Sequence, residues 1–143
     1  MKKIILIAVI LMAGCSSTIQ PIEPDTRPFD ASGYGPPPEN YENAIKQLMG
    51  QVLFDPYSAV FNFSTPPKQG WFVGGDPFRY GYIVCAQINA KNRMGGYSGQ
   101  KTYMYFFENG KLTDYTGFED LLARRDLRGL DPLKLAVGLS KQC

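Results

Sequence analysis

Histidine is missing from the sequence altogether. Its absence removes the commonest general base, the commonest metal ligand and every Ser-His or Cys-His nucleophile. Charge of one sign is scarce as well: 15 Lys and Arg stand against 13 Asp and Glu, a formal +2 over 143 residues. So small an excess implies no nucleic-acid partner. There is a single tryptophan, there are three cysteines, and no internal repeat is visible. The glycines lack the spacing of a phosphate loop or a dinucleotide fingerprint, and no residue set implies a cofactor or a metal. What is present suffices for one domain and a tail, not for two. With 44% apolar, 13% aromatic and 20% charged residues, the chain can bury a core and does not fit a disordered class.

The first residues carry an address. Lys2 and Lys3 form a positive start and Ile4 to Met12 an apolar run, the pattern of a secretory signal over residues 1–14. As a helix that run covers about 14 Å, half of a bilayer's roughly 30 Å core, which is too short for a permanent span. Leu11-Met12-Ala13-Gly14-Cys15 resembles the lipobox of bacterial lipoproteins, with Met12 where leucine is most frequent. The resemblance implies that Cys15 is acylated and becomes the first residue after cleavage, so that the bilayer is a partner through its acyl chains. Two or three such chains hold far more firmly than one. The alternative is an ordinary cysteine behind a conventional signal. In a Gram-negative host, Ser16 after the lipid-bearing cysteine implies the outer membrane, facing the periplasm. Loss of Lys2 and Lys3 leaves basic and acidic side chains equal in number, so no polybasic patch adds to the attachment.

Residues 15–39 read as a tether. Pro21, Pro24, Pro28, Pro36, Pro37 and Pro38 lie here among Ser, Thr and Gly, and such a segment reaches about 75 Å when extended as polyproline II. A proline-rich docking ligand is the alternative.

Residues 40–143 read as a small α+β domain: an N-terminal helix, an antiparallel meander of about four strands and one or two short C-terminal helices. Asn40 is a good N-cap for Tyr41, Ala44, Ile45, Leu48, Met49 and Val52 at helical spacing, and Asp55-Pro56 ends the run. Over Tyr57 to Ser64, alternation predicts a half-buried strand with Tyr57, Ala59, Phe61 and Phe63 on the covered face. Residues 65–79, dense in glycine and proline, read as a long loop carrying Trp71. A strand from Tyr80 to Asn89 places Tyr82, Val84, Ala86 and Ile88 on one face and Ile83, Cys85 and Gln87 on the other, both partly covered. Thr102 to Phe107 and Lys111 to Tyr115 meet through Glu108-Asn109-Gly110, and Asn-Gly is the strongest two-residue hairpin signal. Thr116 and Glu119 resemble a capping box for a helix through Leu121 and Leu122. Asp131-Pro132 opens a last helix through Leu135, Ala136 and Leu139.

With Cys15 acylated, an exported chain leaves Cys85 and Cys143 as a natural disulfide. Two separately buried thiols and intermolecular pairing are the alternatives. A catalytic thiol is disfavoured without an imidazole partner. One further stretch is distinctive. Asp55-Pro56-Tyr57-Ser58-Ala59, followed by Asn89-Ala90-Lys91-Asn92 and Gly95-Gly96-Tyr97-Ser98-Gly99, resembles a recurrent pattern in small bacterial exported proteins and lipoproteins. That resemblance brings no reaction with it. Asn89, Lys91 and Asn92 near a glycine turn, with Tyr97, Tyr103, Tyr105 and the loop tryptophan Trp71, make a candidate binding surface for a glycan, a peptide or a protein. Against it, Asn and Gly populate turns for purely conformational reasons.

Glu119 and Asp120 are adjacent, so they do not face each other as a catalytic carboxylate pair. Arg124, Arg125 and Arg128 read as a solvated helix end. The resulting expectation is a noncatalytic, membrane-anchored binding or structural module of the cell envelope, with an envelope protein or peptidoglycan as partner. A peptidoglycan-acting enzyme or enzyme inhibitor, stacking glycan on Trp71 and the tyrosines, is the alternative.

Overall fold

The computed structural model describes residues 31–73, 78–123 and 138–143, together with the isolated Pro21. The signal segment, Cys15, most of the tether, Arg124, Arg125, Arg128 and residues 131–137 of the helix expected from Asp131-Pro132 lie outside the described residues; residues 138–140, the end of that expected helix, are helical. A short 3-10 turn, Ala31–Tyr34, precedes helix α1, Tyr41–Val52. The strands are β1, Asp55–Phe63; β2, Lys68–Val73; β3, Phe78–Lys91; β4, Lys101–Glu108; and β5, Lys111–Gly117. Helix α2, Phe118–Ala123, follows. One antiparallel sheet of five strands with a few short helices places the domain in the α+β class.

The sheet is a meander whose first strand is broken in two. β1 pairs with β3 up to Phe63↔Ala86, and β2 resumes against the same strand at Lys68↔Ile83. Both halves oppose β4, which takes the other side of β3, so they lie end to end along one edge. Ser64 to Pro67 fall at the break, where Pro66 and Pro67 have no N–H for the ladder.

The long loop expected over 65–79 is thus corrected: Lys68–Val73 form β2, and Phe78 and Arg79 already belong to β3. Gly70 there is a site of close packing. A Cβ on Gly70 would come within 2.6 Å of Ile83 Cγ1, and one on its register partner Gly81 within 2.9 Å of the Phe106 ring. The hairpin is as expected, with Asn109 at φ 51° and Gly110 at φ 75° linking Glu108↔Lys111. Thr116, expected to cap a helix, instead stays in β5 opposite Met104, and α2 begins two residues on. Continued pairing to β4 outweighs the local capping signal.

Both faces of the sheet are covered. On one, Ile45 and Met49 of α1 pack with Val84, Ala86, Ile88, Tyr105 and Phe107. On the other, Trp71, Phe72, Ile83, Cys85, Met104 and Phe106 pack with Leu139 of the C-terminal segment. β3 therefore alternates its side chains between two cores, which is why it reads as nearly continuously apolar. Cys85 is bonded to Cys143, with Cα atoms 5.6 Å apart. Beside it, Trp71 N–H donates to Gln142 Oε1 at 2.8 Å and Gln142 Nε2 donates to Trp71 C=O at 3.0 Å. The Gln142 amide so takes the place of a further strand on the edge of β2 and satisfies backbone groups that an open edge would leave free.

Candidate functional site

The two halves of the distinctive pattern, more than thirty residues apart in sequence, meet at one end of the sheet. Between Asp55↔Lys91 and Val60↔Asn89 the register shifts, so β1 enters through a bulge. Ser58 organises it. Its N–H donates to Asp55 Oδ1 at 3.3 Å, its hydroxyl donates to Asp55 C=O at 2.8 Å, and its Oγ accepts from Lys91 N–H at 2.9 Å. The hydroxyl thus replaces a strand carbonyl that the bulge has moved away. The extra residues also turn Tyr57 outward: it is 100% exposed, which corrects its expected place on the covered face, whereas Ala59, Phe61 and Phe63 do pack there.

The β3–β4 connection, residues 92–100, is built around Asn92. Its Oδ1 accepts from Met94 N–H at 2.9 Å and Gly96 N–H at 3.3 Å, and its own N–H donates to Gly96 C=O at 2.8 Å. Gly95 has φ 79°, a left-handed conformation costly for most residues. Ser98 returns the chain to β3, donating both its N–H and its hydroxyl to Ala90 C=O at 3.1 and 3.0 Å. Tyr97 bridges to Lys91. The side-chain oxygen of Asn92 is therefore spent on shaping its own turn.

The shaped corner carries unusual surface. Val52, Phe54, Tyr57, Val60, Met94 and Tyr97 are all exposed. Met94 is 92% exposed, Phe54 64% and Tyr97 52%. Cations lie on two of the rings: Lys91 Nζ is 5.7 Å from the Tyr97 centroid and Arg93 Cζ is 5.7 Å from that of Phe54, within cation–π range. Neither Lys91 nor Arg93 forms an ion pair among the described residues. Lys101 nearby does, to Glu119 at 3.2 Å, and the hydrogen bond it donates to that carboxylate holds its ammonium above the usual lysine value. A shallow hollow of about 230 Å³ opens among these groups, between Phe54, Ile88, Ala90, Ser98 and Tyr103.

Other members of the expected binding surface lie elsewhere. Trp71 is 4% exposed, edge-on to Phe78 with ring centroids 5.2 Å apart; its large apolar ring is worth more in the core than in water. Tyr105 is 0% exposed and stacked on Tyr115. Burial pushes its phenol well above the ordinary tyrosine value, and the hydroxyl has no hydrogen-bond partner. Both are withdrawn from any surface. Tyr103 is half-buried, its phenol raised by the same desolvation, and it lines the hollow. Asn89 is half-buried opposite Val60, with an unpartnered Oδ1.

Of the expected set, Lys91, Asn92, Tyr97 and Tyr103 come together at the corner. Phe54, Tyr57, Arg93 and Met94 were missed. An apolar residue directly before the Asp55-Pro56 helix stop, and a methionine inside a glycine turn, were the available signals.

The corner lies away from the point at which the chain enters the domain. An added Cβ on Gly35 would sit 3.3 Å from Asn109 Cα, and one on Gly110 3.8 Å from Pro37 C=O, so residues 35–37 lie against the β4–β5 turn. From there α1 leads from Tyr41 near Phe107 and Gly110 to Val52 at the hollow. Twelve helical residues cover about 18 Å. Residues 35–37 and the exposed corner lie at opposite ends of α1.

Among the described residues no helix is long and apolar enough to cross a membrane, and no group of three or more His, Cys, Asp or Glu side chains is placed to hold a metal ion. Fold and site together define a small disulfide-closed α+β domain with an apolar and cationic pole. No protein-family model, curated protein or solved structure matches the chain.

Proposed function

We propose that this chain is a membrane-anchored bacterial lipoprotein in which acylated Cys15 holds the bilayer, residues 15–39 form the tether, and residues 40–143 are a noncatalytic binding or structural module of the cell envelope. In a Gram-negative host it is anchored in the outer membrane and works in the periplasm. One observation carries the reading: residues 35–37, the end of the tether, lie against the Asn109-Gly110 turn while the exposed Phe54, Met94 and Tyr97 lie at the other end of α1. A module hung from a bilayer by that tether holds its exposed pole away from its own membrane. The bridge between Cys85 and Cys143 accords with an oxidising compartment.

The alternative, a peptidoglycan-acting enzyme or enzyme inhibitor, loses two of its stacking residues, since Trp71 and Tyr105 are inside the protein, and keeps Tyr97 and Tyr103. The test of the anchor is metabolic labelling with a palmitate analogue. The native chain should take up label and lose its signal segment, and Cys15→Ser should accumulate as an unlabelled precursor. Labelling of Cys15→Ser at the native level refutes the anchor.

A further inference from the structure

We propose that the pole formed by Phe54, Tyr57, Met94 and Tyr97 with Lys91 and Arg93 docks an acidic segment of another protein that carries an aliphatic or aromatic side chain between its carboxylates. The proposal deepens the binding-module reading and rests on it.

Three observations select this occupant. The first is apolar exposure. Four large side chains stand in solvent at one end of the sheet, 52% to 100% exposed, although both cores are filled by neighbouring residues. They are not the fringe of a core, because the bulge at Ser58 and the Asn92 turn actively hold two of them outward. Exposed aromatic and methionine clusters of this kind mark protein contacts.

The second is charge. From Asn89 to Phe107 the chain contains Lys91, Arg93 and Lys101 and no carboxylate. Lys101 is paired with Glu119, whereas among the described residues Lys91 and Arg93 form no ion pair and lie on the π faces of Tyr97 and Phe54. A ring face is a weak counter-charge. A carboxylate from outside gives Arg93 a bidentate partner while the ring keeps its stacking contact. The hollow of about 230 Å³ walled by Phe54, Ile88 and Tyr103 has Lys91 on its lining, with Arg93 stacked on the Phe54 ring, and it accepts one apolar side chain.

The third is direction. Two unpaired cations are too few for an anionic bilayer, where recognition takes clusters of about four to eight, and the pole lies at the far end of α1 from the tether. A protein segment suits both facts better than a lipid surface.

The experiment is a selection of random displayed peptides on the full chain in detergent, followed by fluorescence anisotropy with the enriched peptides. Acidic peptides bearing Leu, Ile or Phe should be enriched. Lys91→Glu with Arg93→Glu should weaken their binding at least tenfold, Phe54→Ala and Met94→Ala should each weaken it severalfold, and added salt should weaken it further. All four side chains are at the surface, and an unchanged circular dichroism spectrum for each variant separates lost binding from lost folding. Enrichment of basic or uncharged peptides overturns the proposal, as does binding that survives the charge reversal. Two further arms also overturn it: corner-dependent binding to phosphatidylglycerol vesicles without peptide binding, or self-association abolished by Phe54→Ala, which assigns the pole to a second copy. Peptide selection does not depend on acylation. Failure here with normal labelling at Cys15 therefore refutes the docking site alone, while loss of labelling with intact peptide binding refutes the anchor alone.

Discussion

Reducing the bond between Cys85 and Cys143 should remove a large share of the domain's stability, and the structure sets the size of the loss. The two cysteines are 58 residues apart, and on the chain-entropy account freeing a loop of that length costs about 4 kcal/mol at 25 °C. A domain of this size has about 5–15 kcal/mol in total. The bridge also holds Gln142, whose amide makes both hydrogen bonds to Trp71, and Leu139, which is fully buried beside Cys85. Trp71 is the only tryptophan and it lies in this same cluster, so its fluorescence reports on the region directly. In urea, with a slope of about 2 kcal/mol per molar, 4 kcal/mol moves the midpoint by about 2 M. Unfolding should therefore be followed through Trp71 with and without reductant, beside a Cys85→Ala, Cys143→Ala double variant that reductant should not move. Tryptophan emission in the reduced protein should already shift to the red below the main transition, as the C-terminal segment leaves β2. A midpoint that changes by less than about 0.5 M on reduction would mean that the C-terminal segment is held by packing alone, and the reasoning would fail.

Ser58→Ala strands the Lys91 N–H inside the bulge and should destabilise by about 1–3 kcal/mol; a change within error would show that water replaces the hydroxyl. Gly81→Ala drives a Cβ into the Phe107 carbonyl and the Phe106 ring and should cost about 1–3 kcal/mol or more, which thermal denaturation will read as a fall in Tm. Tyr105→Phe removes a buried hydroxyl without a partner and should be neutral or stabilising by about 1 kcal/mol; a clear loss of stability would reveal a partner. The same variant tests pH dependence. Because burial raises the Tyr105 phenol above its ordinary 10.0, the unfolded chain gives up that proton first as pH climbs past 10. Over that window the folded state binds more protons, so native stability falls with rising pH, and Tyr105→Phe should flatten the fall. An unchanged slope in alkaline urea titrations would assign it to other groups.

How much was legible in the sequence differs from element to element. The β4–β5 hairpin was plain because a two-residue turn requires positive φ at both positions, and Asn109-Gly110 are the residues that adopt it at least cost. β3 was plain because Val84, Ala86 and Ile88 alternate with Ile83 and Cys85, and alternation survives whatever covers each face. The pairing of Cys85 with Cys143 followed from the compartment that the first fifteen residues imply. β2 was not legible. Gly70 looks like punctuation until Ile83 is known to press against it.

The corner shows the division most clearly. Its residue types stood in view, and the glycine turn with its tyrosine was already marked as a candidate surface. The outward turn of Tyr57 depends on a bulge that exists only because Ser58 meets Lys91, and Arg93 meets Phe54 only because β3 and the end of α1 finish at the same end of the sheet. Short-range periodicity and turn chemistry are written in neighbouring residues, so they can be read along the chain. Register, close approach and the choice of which aromatic rings face water arise between distant segments, so Trp71 went into a core and Phe54 stayed outside for reasons that only the assembled sheet supplies.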